Sequence, residues 1–418
     1  MRKVPKLRFK EFSDEWEEKK LGEISEIKGG YAFKSNKFLN TPSKYQVIKM
    51  GNLYQNKLLL DRNPSFMEEI NEKEKEYLLK KDDIILTLTG TVGKKDFGYS
   101  YKINNENNLL LNQRLACIKM KHEKYSTDFF KDVIKHESFL DEFFELSIGG
   151  TGNQANVSIK DIENIKINIP IFSEQQKIAN FLSSVDKKIS LTEEKLELFK
   201  EYKKGVMQKI FSQELRFKDS EGNDYPEWEE KKLEEIAFVF IGLVTTMTSN
   251  YVENGIPMIR NSDILPNKIK DKKELIKLKI NFAKKNENRA FRKGDIVTVH
   301  TGDLGTSAVI NENLEGSIGF ATLNTRILNK NICYNFYLSH FFNSQKYKEY
   351  VQSVKTGDGR DNLNLKDFIK SIISLPILEE QQKIADFLSS IDTKIENIEK
   401  ELENLKEFKK GLLQQMFV

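Results

Sequence analysis

Residues 174–186 read EQQKIANFLSSVD and residues 380–392 read EQQKIADFLSSID, so 11 of 13 positions recur at an offset of 206. A repeat of that length in a 418-residue chain divides it into two half-molecules, and periodicity on this scale constrains the fold before local propensity does. The likeness extends outward. LRFK stands at 7–10 and 215–218, EWEEKKL at 15–21 and 227–233, and KKGVMQKIF (203–211) answers KKGLLQQMF (409–417). Between these edges the halves diverge: QVIKMGNLYQNKL (46–58) has only a loose counterpart in PMIRNSDILPNKI (257–269). Similar edges around unlike centres suit a target that is itself bipartite.

The repeated block opens a long apolar period. Ile178, Leu182, Val185, Ile189, Leu196, Phe199, Val206 and Ile210 step alternately by four and three once Thr192 and Lys203 fill the gaps. The second copy gives Ile384, Leu388, Ile391, Ile395, Ile398, Leu402, Leu405, Leu412 and Met416, with Lys409 in its one gap. A sustained 3.5-residue period predicts a coiled-coil seam, in helices of about 33 residues and about 50 Å. Ser173 and Gln176 predict a capping box at the first helix start, whereas Glu379 at the second is a poorer cap. Lys203 and Lys409 share a heptad position, so a parallel pair would bury two ammonium groups side by side. An antiparallel pair aligned near residues 194 and 400 instead brings Lys203 to Asp392 and Lys409 to Asp186. The expected fold is therefore two α/β (α+β) domains in tandem, separated by two long helices in an antiparallel coiled coil with pseudo-twofold repetition. The expected boundaries are 1–172, 173–212, 213–378 and 379–418.

Composition narrows the class. Hydrophobic content of 39% and charged content of 31% fit a soluble protein, and the longest apolar run, IAFVFIGLV (236–244), is far short of the roughly 20 residues that span a bilayer. No signal peptide is seen in MRKVPKLRFKEF. Two cysteines, Cys117 and Cys333, form no disulfide framework, so a reducing cytoplasm and buried thiols are expected. Net charge is +4, from 67 basic and 63 acidic residues, which leaves nucleic-acid binding open because phosphates respond to local patches.

Within each half a β-rich run ends in a Thr-Gly turn, at Thr89, Gly90 and Thr91 and again at Thr301 and Gly302, with Thr306 following. An ordinary hairpin turn and a close approach to a ligand are both open; Lys94 and Lys95 favour phosphate contact in the first half. A second pair of glycine-rich polar loops, GGTGNQANVSIKDI (149–162) and TGDGRDNLNLKDF (356–368), leads into the last strand of each half. Asn and Gln can read adenine bidentately and Arg can read guanine. Asn153, Gln154, Asn156, Arg360 and Asn362 are thus candidate base contacts, beside the alternative of a solvated loop. The same holds for Asn112, Gln113 and Arg114 (NQR), for Arg326 in NTR (324–326), and for Arg260 and Asn261 in IRNSD (259–263).

Catalytic motifs are missing from the sequence. There is no GxxxxGK[ST] loop, HExxH, CxxC pair or G-x-S-x-G elbow. NPSF (63–66) lacks the second proline of the NPPY/F motif of amino-methyltransferases. The four histidines are scattered.

The EQQKIAxFLSSxD helices, the doubled WEEKKLxEI segments and the TG and NQR turns resemble the DNA-specificity subunit of type I restriction–modification systems. The resemblance covers essentially the whole chain. It implies two target-recognition domains, each reading half of an interrupted site in double-stranded DNA, with the helices as spacer and docking platform. Two copies of the methyltransferase subunit, carrying S-adenosylmethionine, and a restriction–translocase subunit using ATP and Mg²⁺ are the implied partners. No cofactor or metal is expected on this chain. A spacer of about 50 Å can set two domains on half-sites about one helical turn, ~34 Å, apart. A self-contained DNA methyltransferase or nuclease, and a coiled-coil scaffold, are the alternatives.

Overall fold

The computed structural model describes residues 4–149, 153–245, 248–357, 359 and 361–418. Two compact units emerge, one of residues 1–192 with 401–418 and the other of residues 193–400. Each unit therefore contains the first part of one long helix and the last part of the other.

The unlike centres fold alike. In the first unit an antiparallel sheet runs Ser25–Gly29, Leu115–Met120, Ile84–Thr87, Ser100–Lys102, and in the second Ala237–Ile241, Thr322–Ile327, Ile296–Val299, Ser307–Val309. Ile84–Thr87 is an unbroken buried run because both of its faces are covered. Ile84 and Leu86 join a core with Trp16, Phe129 and Phe130, while Ile85 packs with Ile48, Leu111 and Cys117. Ile296 and Val297 divide the same way in the second unit. A smaller sheet pairs Tyr45–Ile48 in parallel with Leu109–Leu111, and its counterpart pairs Ile256–Arg260 with Ile318–Phe320. The loose match of 46–58 to 257–269 is thus a structural equivalence. In both, a strand meets a 3₁₀ turn whose last residue, Asn52 or Asp263, accepts the backbone N–H of Lys49 or Arg260 at 3.0 Å. A short hairpin follows, with Asn56 and Asn267 in left-handed backbone (φ 60° and 58°), as tight turns require.

The repeated edges interlock. EWEEKKL supplies a strand, Glu17–Lys20, that pairs antiparallel with Lys166–Ile169; Glu229–Lys232 pairs with Ile372–Leu375 in the same way. The Arg of LRFK reaches the Glu of EQQ. Arg8 donates to both carboxylate oxygens of Glu174 at 2.7 and 2.8 Å, and Trp16 Nε1 adds a third bond at 3.4 Å. Arg216 and Trp228 hold Glu380 likewise, at 3.2, 2.9 and 3.1 Å.

The long helices run Phe172–Phe211 (40 residues) and Leu378–Met416 (39 residues), longer than the heptad run suggests. Ser173 lies inside the first turn, so the expected capping box does not form. Gln175 fastens that end instead: its Nε2 donates to Pro170 O at 2.9 Å and its Oε1 accepts the N–H of Ser126 at 2.9 Å. Gln381 does the same with Pro376 O and the N–H of Tyr334, both at 2.8 Å, so the second helix start is no poorer. Pairing is antiparallel within each unit. In the first, Lys409 meets Asp186 at 2.5 Å and Lys188 meets Glu401 at 3.7 Å. In the second, Lys203 meets Asp392 and Lys200 meets Glu399 at 3.3 Å.

Not all seam positions serve helix pairing alone. Ile178, Leu182 and Val185 are buried with Trp16, Phe129 and Leu412 in the first core. Ile384, Leu388 and Ile391 join Tyr337 and Phe341 in the second. Leu196 is buried, and Ile189, Phe199, Ile395, Leu402 and Leu405 are half-buried.

Candidate nucleic-acid interface

The two glycine-rich loops of each half, about sixty residues apart in sequence, lie side by side. In the first unit Thr89–Thr91 is a strand rather than a turn. It pairs antiparallel with Gln154–Asn156, in the register Thr91 to Gln154, Gly90 to Ala155 and Thr89 to Asn156. Alternation along this strand buries Ala155 and exposes Gln154 and Asn156 on one face, and Asn153 beside them is exposed. Gly90 is dictated by packing: a Cβ there would stand 2.3 Å from the Phe97 ring and 2.5 Å from Asp96 Oδ1. Thr91 donates to Asp96 through its N–H (2.8 Å) and its Oγ1 (2.7 Å), which lowers the Asp96 pKa. Lys94 and Lys95 are exposed in the loop that follows, with Lys95 reaching Asp141 at 2.9 Å.

The second unit builds the junction from bridges. Thr301 pairs with Asn362, Thr301 Oγ1 donating to Asn362 Oδ1 at 2.6 Å, and Thr356 pairs with Asn362 from the other side. Gly302 takes a φ of +104° with open space around it, so its role is conformational. Arg360 lies outside the described residues. Asn261 joins from the neighbouring turn: its Oδ1 accepts the N–H of His300 at 3.0 Å and its Nδ2 donates to Ala321 O at 3.1 Å.

Other candidates have structural partners. Arg260 closes a fork on the buried Asp263, at 2.9 and 3.0 Å, and these bonds raise its pKa. Arg326 forks onto Asp295 at 2.9 and 2.6 Å and also reaches Ala290 O. Thr306 is 1% exposed and donates to Asp303 at 2.6 Å. These three side chains hold the scaffold with the atoms that would contact a base. NQR and NTR are not equivalent either. Gln113 and Arg114 are exposed in the turn before Leu115–Met120, and the backbone of Asn112 bridges to Tyr31. NTR instead lies inside the strand Thr322–Ile327, with Asn324 fully buried. The resemblance of three letters concealed a shift of register.

Asp96 and His300, which no motif marked, tie these loops down. His300 Nδ1 sits 2.7 Å from Leu363 O, and Leu363 N–H donates to His300 O at 3.0 Å. Both cysteines are buried, and burial pushes their thiol pKa values up. Among the described residues no three His, Cys, Asp or Glu side chains gather as metal ligands, and no helix is long and apolar enough to cross a membrane.

Two sheet domains, each offering a polar loop pair and each tied to long helices, define a tandem recognition protein. The chain belongs to the type I restriction modification DNA specificity domain family, whose pattern matches residues 13–200 and 225–407. It is 25% identical over 413 residues to the type I restriction enzyme MjaVIII specificity subunit of Methanocaldococcus jannaschii, covering 91% of this chain and 94% of that one. It is 22% identical over 414 residues to the EcoBI specificity subunit of Escherichia coli, covering 94% and 82%. In fold it resembles the crystal structure of the type I restriction–modification S subunit from M. genitalium (TM-score 0.61, 18% identity, 99% of both chains). Its role is that of the non-catalytic component that carries DNA sequence recognition in a multi-subunit restriction–modification system.

Proposed function

We propose that each unit reads one half of an interrupted DNA site through its paired loops, with Gln154 and Asn156 at base edges in the first half-site and Arg360 in the second, beside Asn362, whose Oδ1 is held by Thr301. One observation carries this reading: in both units, segments remote in sequence come together as one polar edge, Thr91 against Gln154 and Thr301 against Asn362. Such an edge can enter a major groove, where Asn, Gln and Arg discriminate bases, while Lys94 and Lys95 supply sequence-independent phosphate contacts. The long helices act as spacer and as platform for two copies of the methyltransferase subunit, and a restriction–translocase subunit completes the assembly. S-adenosylmethionine, ATP and Mg²⁺ belong to those partners, and the assembly works in the cytoplasm.

Methylome sequencing of cells expressing the system tests the assignment. Gln154→Ala is expected to relax or change one or two bases of the first half-site only, at about 1–3 kcal/mol for each bidentate pair removed, and Arg360→Ala of the second only. An unchanged methylated motif after both substitutions rejects these base assignments.

A further inference from the structure

The two units carry corresponding grooves beside their long helices, and the charges of those grooves differ. The first, of about 650 Å³, is lined by Lys57 of the hairpin, Lys102 of the central sheet and Lys131 and Lys135 of the helical layer, with Lys406, Lys409 and Lys410 of the second long helix. Asp128 and Asp186 are the carboxylates of the lining, and Asp82 and Asp132 beside it also pair with Lys102 (3.0 Å) and Lys131 (2.9 Å), so lysines still outnumber acids. The groove of the second unit, about 580 Å³, sets Lys200, Lys203 and Lys268 against Asp392, Glu396 and Glu399. Its His340 adds no charge, because burial first and Lys203 second pull that ring down to about 3.

We propose that the groove of the first unit binds the DNA sugar–phosphate backbone irrespective of sequence, and that the second does not, so the two halves contribute unequally to electrostatic affinity. The inference rests on the recognition role proposed above and adds a binding surface separate from the base-reading loops. Three observations support it. Lys135 and Lys410 close no ion pair among the described residues; burial lowers the Lys135 pKa first, and repulsion from Lys131 and Lys409 adds to that against the opposite pull of Asp132 and Asp186. A bound phosphate relieves that repulsion. The cations are lysines throughout, flexible point charges that suit phosphate contact rather than bidentate readout. Of the remaining polar lining, Gln55, Asn56, Asn104 and Ser183 are neutral side chains of the kind that meet phosphate oxygens, whereas the Tyr101 hydroxyl donates to Glu106 at 2.6 Å. Apolar lining is confined to Ile189 and Leu413, too little for the buried anchor that a protein partner would need.

The test is the salt dependence of DNA binding by the full chain with its methyltransferase partner, on a target duplex and on one of random sequence. Lys135→Gln with Lys410→Gln is expected to reduce the slope of log Kobs against log salt by about 2, near 0.9 for each phosphate no longer neutralised. Lys200→Gln with Lys268→Gln in the second unit should leave the slope unchanged, and methylome sequencing should show an unchanged motif for both. Lys410→Glu, on an exposed helix face, gives the same direction of change should Lys135→Gln fold poorly. An unchanged slope in the first-unit variants overturns the proposal. So does loss of methyltransferase co-purification at an unchanged slope, which would make the occupant an acidic protein surface. Because random DNA is read too, the groove is tested even if the bipartite reading fails; a wild-type assembly that leaves no bipartite methylation rejects that reading alone.

Discussion

Glu174 is fully buried and ionisable, a combination tolerated only with strong partners. Arg8 and Trp16 are those partners, yet they stand 166 and 158 residues away, so the sequence displays the repeated letters without the reason for them. Glu174→Ala leaves the Arg8 guanidinium without its fork and is expected to cost about 3–5 kcal/mol. Adding Arg8→Met should recover part of the loss; urea unfolding of the two variants and of Arg8→Met alone measures the coupling, and strict additivity would show that the fork contributes nothing. His340 was equally illegible. It is 1% exposed; Asn267 Nδ2 donates to its Nδ1 at 3.0 Å and its Nε2 meets Ser389 Oγ at 3.2 Å, which fixes the neutral ring. With the folded pKa near 3 and the ordinary value 6.5, the unfolded chain binds the extra proton in that window. The contribution to stability is complete above pH 6.5 and is lost as pH falls below it, by about 1.4 kcal/mol per pH unit. His340→Gln should flatten the decline of melting temperature between pH 7 and 5 relative to the wild type; parallel curves would refute the assignment.

The helices were the most legible elements, because a 3.5-residue period is a local signal that needs no knowledge of distant chain. Heptad phase, the penalty on two facing lysines and an alignment near residues 194 and 400 placed Lys203 by Asp392 and Lys409 by Asp186, and both ion pairs are present. Asp392→Lys sets two ammonium groups against each other in a half-buried site. It should lower stability by about 1–3 kcal/mol, with most of it restored by the exchange Lys203→Asp, Asp392→Lys; a double variant as unstable as the single would argue against this pairing. Helix ends were less legible. The sequence offers Ser173 as a cap, but Gln175 wins because a glutamine can reach both Pro170 O and the N–H of Ser126, a tertiary partner that no local rule contains. Strand register was hardest. A buried strand such as Ile296–Val299 shows no alternation, and the placement of NTR inside Thr322–Ile327 depends on pairing with Ile296–Val299 and Ala237–Ile241.

Across the whole molecule, repeated residues build what the units share and unrepeated residues build where they differ. Glu174 and Glu380, Trp16 and Trp228, and Gln175 and Gln381 make matching bonds, whereas the loop edges and groove charges do not match. The division into units also has a consequence for biosynthesis. The second unit is one uninterrupted stretch, 193–400, but the first needs residues 401–418. Phe417, at the end of that segment, stacks edge-on against Trp16 at 6.5 Å and tilts against Phe129 at 5.3 Å, sealing a core begun about four hundred residues earlier. Pairings that distant in sequence close slowly. On the ribosome, the domain translated first is therefore completed last, and its apolar Trp16 face waits for the final turn of helix while the later domain already has every residue it requires.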